Sequence, residues 1–138
     1  MELTVVQALL IALFVAAVQS RGLGYATLTM RFSPMMTGLV VGIVMGRVPE
    51  AMVITAGIQL VYMGVIAPGG SMPSEPAVAT AIAVPVALLA KMEPYEAIAI
   101  AIPVGLLGGY LYQFRFFLNT FIIRLTDKYA EDLNDKGL

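Results

Sequence analysis

The residues best suited to chemistry lie between Gly57 and Glu75, in the run Gly-Ile-Gln-Leu-Val-Tyr-Met-Gly-Val-Ile-Ala-Pro-Gly-Gly-Ser-Met-Pro-Ser-Glu. Thr55, Gln59 and Tyr62 are spaced i, i+4 and i+7, which places them on one helix face. An amide and a phenol on an apolar helix need hydrogen-bonding partners in a low-dielectric setting. A sugar offers such partners, together with C–H faces that suit an aromatic ring. Gly69, Gly70 and Ser71 can present bare backbone groups to a ligand. Glu75 can accept from two sugar hydroxyls at once. Each residue also has a structural reading: Gln59 as a bond between helices, Tyr62 as packing or an interfacial anchor, Gly69 and Gly70 as a turn, Glu75 as a helix cap.

Other chemistries are poorly supplied. The chain has no His and no Cys, which removes the usual general base, the usual metal ligand, the thiol and the histidine phosphoryl acceptor. No metal or cofactor site and no catalytic residue is expected. Gly69-Gly70-Ser71 lacks the lysine and the spacing of a phosphate loop. A net charge of −1 gives no global field for nucleic acid.

The elements that position these residues are those of an all-α membrane protein. Of 138 residues, 59% are hydrophobic and only 12% are charged, against about 25% charged in soluble domains. Too few polar groups exist to cover a soluble surface of this size, so lipid is the expected solvent. Met1-Glu2 lacks a basic leader region, and the first apolar run, Leu3 to Ser20, reads as a retained helix with Ala8, Ala12 and Ala16 on a packing face. Gln7 reads as a bond between helices and Gln19 as the helix end. A polar-flecked connector, residues 21–33, is expected next. Pro34 opens a short second run to Gly46, with Gly38, Gly42 and Gly46 on a close-approach face. A polar turn over 47–50 precedes a helix from about Ala51 to Ile66. Pro68-Gly69-Gly70 and Pro73 then force irregular backbone up to Glu75. Inside a membrane protein such backbone is tolerated where protein buries it or a wet cavity adjoins it.

An internal repeat follows. Glu75-Pro76 recurs as Glu93-Pro94, and the run from Ala81 to Ala90 recurs from Ala99 to Gly108. Each unit starts with an acid before a proline and carries a second proline, Pro85 or Pro103, nine residues on. Two similar kinked helices are expected, joined at Lys91-Met92-Glu93. The second ends near Tyr112, and Phe114 to Leu125 reads as an amphipathic interfacial helix. Residues 1–126 form the membrane domain and 127–138 a hydrophilic tail. Arg115, Arg124, Lys128 and Lys136 favour a cytoplasmic side for that end. Arg21, Arg31, Arg47 and Lys91 read as boundary or snorkelling residues. The short, interrupted runs point to a polytopic fold with kinked and re-entrant segments.

Gln59-Leu60-Val61-Tyr62-Met63-Gly64, followed by Gly69-Gly70-Ser71-Met72-Pro73-Ser74-Glu75, resembles the IIC membrane subunit of the mannose–fructose–sorbose family of bacterial sugar phosphotransferase systems. Supporting matches are Gln7-Ala-Leu-Leu-Ile, Gly42-Ile-Val-Met-Gly46, Ala101-Ile-Pro-Val-Gly105 and Asp127-Lys-Tyr-Ala-Glu131. The resemblance implies a multi-pass subunit of the bacterial inner membrane. It implies pairing with a IID membrane subunit, oligomeric assembly, and a phosphate relay through histidines of cytoplasmic IIA and IIB proteins. It implies translocation of a hexose or hexosamine coupled to phosphorylation, with catalysis belonging to the complex. By the same analogy, sugar contacts fall at positions matching Gln59 and Glu75. Relatives carry Glu or Gln at the first of these, and Gln59 fits a sorbose- or galactosamine-like branch. Family members continue past Leu138, so the chain reads as a front half: a truncated form, one part of a split subunit, or a degenerate copy. Two other readings stand beside transport. One is a non-transporting scaffold assembled through Gly38, Gly42 and Gly46. The other is a small secondary transporter working as an oligomer.

Overall fold

The computed structural model describes residues 3–20, 24–65 and 72–131. All regular structure among them is helical, in the order α1 (Val5–Gln19), α2 (Tyr25–Phe32), α3 (Pro34–Met45), α4 (Val48–Tyr62), α5 (Pro76–Ala90) and α6 (Pro94–Glu131). The starts follow local chemistry. Thr4 and Gln7 form a reciprocal capping box at α1, and prolines in the first turn open α3, α4 and α5. Gly46 ends α3 in the left-handed region at φ 67°, where a side chain would be strained. Gln7 also donates from Nε2 to the Val44 carbonyl at 3.2 Å, so it is the bond between helices that its place in an apolar run requires.

Helix α5 is the hub and packs on each of the other five. That is why Ala77, Ala79, Ala83 and Ala87, with Val84 and Leu88, are all buried, while Ile82 and Val86 form an exposed apolar strip on the same helix. Around it, α3 packs closely on α4 because Gly38 lies against Thr55, and Gly42 against Ala51 and Val48. Two of the three residues of the glycine face are therefore spent within the chain. Gly46 faces open space.

The two repeat units are the neighbouring helices α5 and α6. Pro76 and Pro94 stand at their first positions, and both helices continue through Pro85 and Pro103. Lys91 closes α5 in the left-handed conformation. The equivalent acids diverge: Glu75 is buried, whereas Glu93 is exposed and its N–H donates to the Glu96 carboxylate.

Four sequence expectations are corrected. Residues 25–32 form helix α2 rather than a connector. Residues 48–50 form the first turn of α4, leaving Arg47 as the link. Helix α4 stops at Tyr62 rather than near residue 66. Helix α6 does not end near Tyr112, because no proline or glycine lies between Gly109 and Glu131 to break it. Arg115 and Arg124 sit nine residues apart, on opposite sides of that helix, so no single polar face exists there. Tyr110, Leu111, Phe114, Phe117, Phe121 and Ile122 are all exposed around it.

The 15-residue helices are ~22 Å long at 1.5 Å per residue, short of a ~30 Å hydrocarbon core. Pro94–Arg124 of α6, at 31 residues, is long and apolar enough to cross a membrane.

Candidate functional site

A buried polar cluster is built where α2, the segment before α5, and the middle of α6 meet. Arg31, in the last turn of α2, donates from Nε and Nη2 to the two carboxylate oxygens of Glu75, both at 2.6 Å. The Glu75 side chain is 1% exposed and that of Arg31 11%. A fork-to-fork pair satisfies both ions where neither reaches bulk water, which is the condition for burying them together. The guanidinium carbon also lies 4.2 Å from the centre of the Tyr112 ring, on α6.

This placement corrects the boundary reading of Arg31. It also refines that of Glu75. The residue occupies the N-cap position of α5, but its side chain caps nothing and turns to Arg31 instead. Its negative charge still complements the α5 N-terminus. Its backbone N–H is spent on the Gly105 carbonyl at 2.9 Å.

Helix α6 can approach so closely because it offers a row of small residues, Ala97, Ala101, Gly105 and Gly108, at spacings of three and four. A Cβ on Gly105 would collide with the hydroxyls of Tyr62 and Ser74. One on Gly108 would stand 2.7 Å from the Glu75 Cβ, and one on Gly109 2.9 Å from the Pro73 carbonyl. Beneath the ion pair, the buried Tyr62 hydroxyl donates to the Ala101 carbonyl at 3.0 Å and accepts from Ser74 at 3.3 Å.

Gln59 sits elsewhere. Its Oε1 accepts from the Met35 N–H at 3.2 Å, capping the α3 N-terminus from another helix. Its Nε2 has no protein acceptor among the described residues. The expected stripe on α4 thus divides: Thr55 and Gln59 serve α3, whereas Tyr62 serves α6. The structure brings Tyr62 and Glu75 into one cluster through Ser74, and leaves Gln59 a turn away. Gly69, Gly70 and Ser71 lie outside the described residues.

Arg31, Ser74 and Tyr112 were not among the site residues expected from sequence. The available signal was indirect: a buried acid needs a counterion, but four boundary cations were equally eligible.

Above the pair, α1, α2 and α6 enclose a recess of about 360 Å³ that reaches Arg31 and Tyr112. At the opposite end of α5, Arg47 donates to the Leu88 carbonyl at 2.9 Å, satisfying an acceptor of the last turn.

The family model described as the sorbose-specific IIC component of the phosphotransferase system matches residues 5–138. The chain belongs to that family. It is therefore a membrane subunit of a phosphotransferase-system sugar permease, and its all-α fold is that of a membrane protein. No curated protein and no solved structure matches it.

Proposed function

We propose that this IIC subunit binds a hexose or hexosamine and carries it across the bacterial inner membrane, coupled to phosphorylation by partner subunits. The chain is multi-pass in this reading. Residues 1–126 lie in the membrane, and the hydrophilic tail 127–138 faces the cytoplasm. The observation that carries the reading is the Arg31–Glu75 pair, with Tyr62 and Ser74 beside it, inside an otherwise apolar bundle that belongs to the IIC family. Gln59, Tyr62 and Glu75, with Gly69, Gly70 and Ser71 on the intervening segment, are the proposed substrate-binding set. The Nε2 of Gln59 supplies donors for a sugar hydroxyl.

With no His or Cys, the chain holds no phosphoryl group in this mechanism. It presents the sugar while a IIB protein, charged by IIA, delivers phosphate, and a IID subunit completes the conducting unit. The exposed apolar residues of α6 would meet lipid or that partner. The scaffold alternative loses its proposed assembly face, since Gly38 and Gly42 pack on α4.

The test is sugar accumulation by membranes containing the complete system, with phosphoenolpyruvate supplied. The expected result is uptake as sugar phosphate that, per unit of subunit present in the membrane, falls sharply in Gln59→Ala and in Glu75→Ala. Unaltered uptake in both variants overturns the site assignment. Accumulation that persists without phosphoenolpyruvate favours a secondary transporter.

A further inference from the structure

Two hollows meet at the C-terminal end of α1. One is the recess over the Arg31–Glu75 pair, about 360 Å³. The other is an apolar groove of about 530 Å³ between α1 and α5, with Ala8, Ala12 and Ala16 on one wall and Ile82 and Val86 on the other. Gln19 lines both hollows and is the groove's one polar residue among those described. From Leu3 to Gln19 the groove follows α1 for ~24 Å at 1.5 Å per residue. Ala12, Ala16, Ile82 and Val86 are exposed, so no described helix of this chain covers it.

A cation stands where the hollows join. Arg115, on α6, donates from Nη1 to the Gln19 carbonyl at 3.4 Å. Arg31 is matched by Glu75, but no carboxylate pairs with Arg115 among the described residues. One long bond to a carbonyl leaves the charge and most of the donors of the fork for an anion. Asn119, four residues on, shares a cleft of about 50 Å³ with Arg115 and Tyr112, and Tyr112 also lines the recess. Inside the recess, Ser20 and Thr27 spend their hydroxyl protons on the Ala17 and Gly24 carbonyls, which leaves their oxygens as acceptors. The apolar run of α1 ends here, and Tyr25 at the recess is 89% exposed, as suits a tyrosine at headgroup depth.

We propose that the recess and the groove together hold one anionic phospholipid. Its phosphate meets Arg115 and Asn119, hydroxyls of its headgroup donate to Ser20 and Thr27, and an acyl chain lies between α1 and α5. A soluble phosphate ester would use the polar end alone and leave the groove empty. The lipid uses both, and the join at Gln19 is where its headgroup gives way to its tail. A basic pocket between membrane helices is a recurrent seat for anionic headgroups. The inference goes beyond the permease reading and needs only a chain that lives in a bilayer. In this place the lipid closes the recess above the buried ion pair.

Native mass spectrometry of the purified chain in detergent counts bound lipid directly. The probes are dioleoyl phosphatidylglycerol and dioleoyl phosphatidylcholine, which share their tails, and glycerol 3-phosphate, which has none. Phosphatidylglycerol should bind about fivefold or more tightly than phosphatidylcholine, the effect of one basic residue on an anionic headgroup. Arg115→Gln should abolish that preference, and Arg115→Lys, which keeps the charge without the fork, should retain part of it. Ala12→Leu fills the groove and should weaken both lipids about threefold or more. Glycerol 3-phosphate in excess should displace neither. Equal binding of the two lipids by wild type, a preference that survives in Arg115→Gln, or an Ala12→Leu chain that binds as wild type does, overturns the site. Displacement by glycerol 3-phosphate assigns the recess to a soluble phosphate ester and overturns the lipid. Arg115 and Ala12 are both exposed, so neither change enters the core. If Ala12→Leu does not reach the membrane, the Arg115 variants decide alone.

Discussion

Removing one partner of the Arg31–Glu75 pair should do far more harm than removing both. In Glu75→Gln the guanidinium stays buried beside Tyr112 with its counterion gone; in Arg31→Met a carboxylate that is 1% exposed is left without a cation. Breaking a buried pair in this way costs about 3–5 kcal/mol, because the surviving ion keeps its desolvation penalty and loses its compensation. At roughly 2–4 °C per kcal/mol for chains somewhat larger than this, each single change should lower the midpoint of thermal unfolding by about 6–20 °C. The double variant Arg31→Met/Glu75→Gln retains only a neutral amide, which should cost about 1–3 kcal/mol. The two single losses should therefore fail to add, with a coupling of ~3 kcal/mol or more. The assay is thermal unfolding of the detergent-solubilised, fluorescently tagged chain, followed by size-exclusion elution. Single variants that melt like wild type, or a double variant whose loss equals the two single losses combined, would refute the argument that this pair is buried and mutually dependent.

Further predictions follow from the packing. Gly105→Ala drives a methyl into the hydroxyls of Tyr62 and Ser74 and should destabilise by about 1–3 kcal/mol. Gly64→Ala meets nothing within 4 Å among the described residues and should stay within about 0.5 kcal/mol of wild type; the same unfolding assay compares the two. Gln59→Ala orphans the Met35 N–H at the start of α3 and should cost about 0.5–2 kcal/mol. Gln59→Glu keeps the acceptor and adds a charge that the α3 N-terminus favours, so its stability should equal or exceed that of wild type by up to about 1 kcal/mol. A Gln59→Glu chain that melts below Gln59→Ala would contradict the assigned cap.

Much of the helical frame was legible because its signals are local. Pro34, Pro76 and Pro94 announce helix starts from their own fixed φ, and Gln19 and Lys91 fall where helices end. The repeat beginning at Glu75 and Glu93 shows as two packed helices for the same reason. The charges misled where a residue's role depends on distant chain. Arg31 looks like any boundary arginine until a partner 44 residues away is brought against it. Arg115 and Arg124 suggested a separate surface helix, yet two charges on opposite sides of a continuous helix interrupt nothing. Helix α2 was missed because Tyr25–Phe32 is only eight residues long and mixes Thr and Arg with apolar residues, a pattern shared by loops. At the candidate site, Glu75 and Tyr62 stood out by being polar in apolar runs. Their partners Arg31, Ser74 and the Ala101 carbonyl did not, since tertiary contacts leave no spacing signature.

The central claim is that this IIC subunit handles sugar through its buried polar cluster and hands it to a phosphate relay. The most direct measurement is phosphoenolpyruvate-dependent sugar accumulation by the complete system, comparing wild type with Glu75→Ala and Gln59→Ala at matched membrane abundance. The account predicts accumulation as sugar phosphate in wild type and its loss in both variants. Equal accumulation in all three would contradict it.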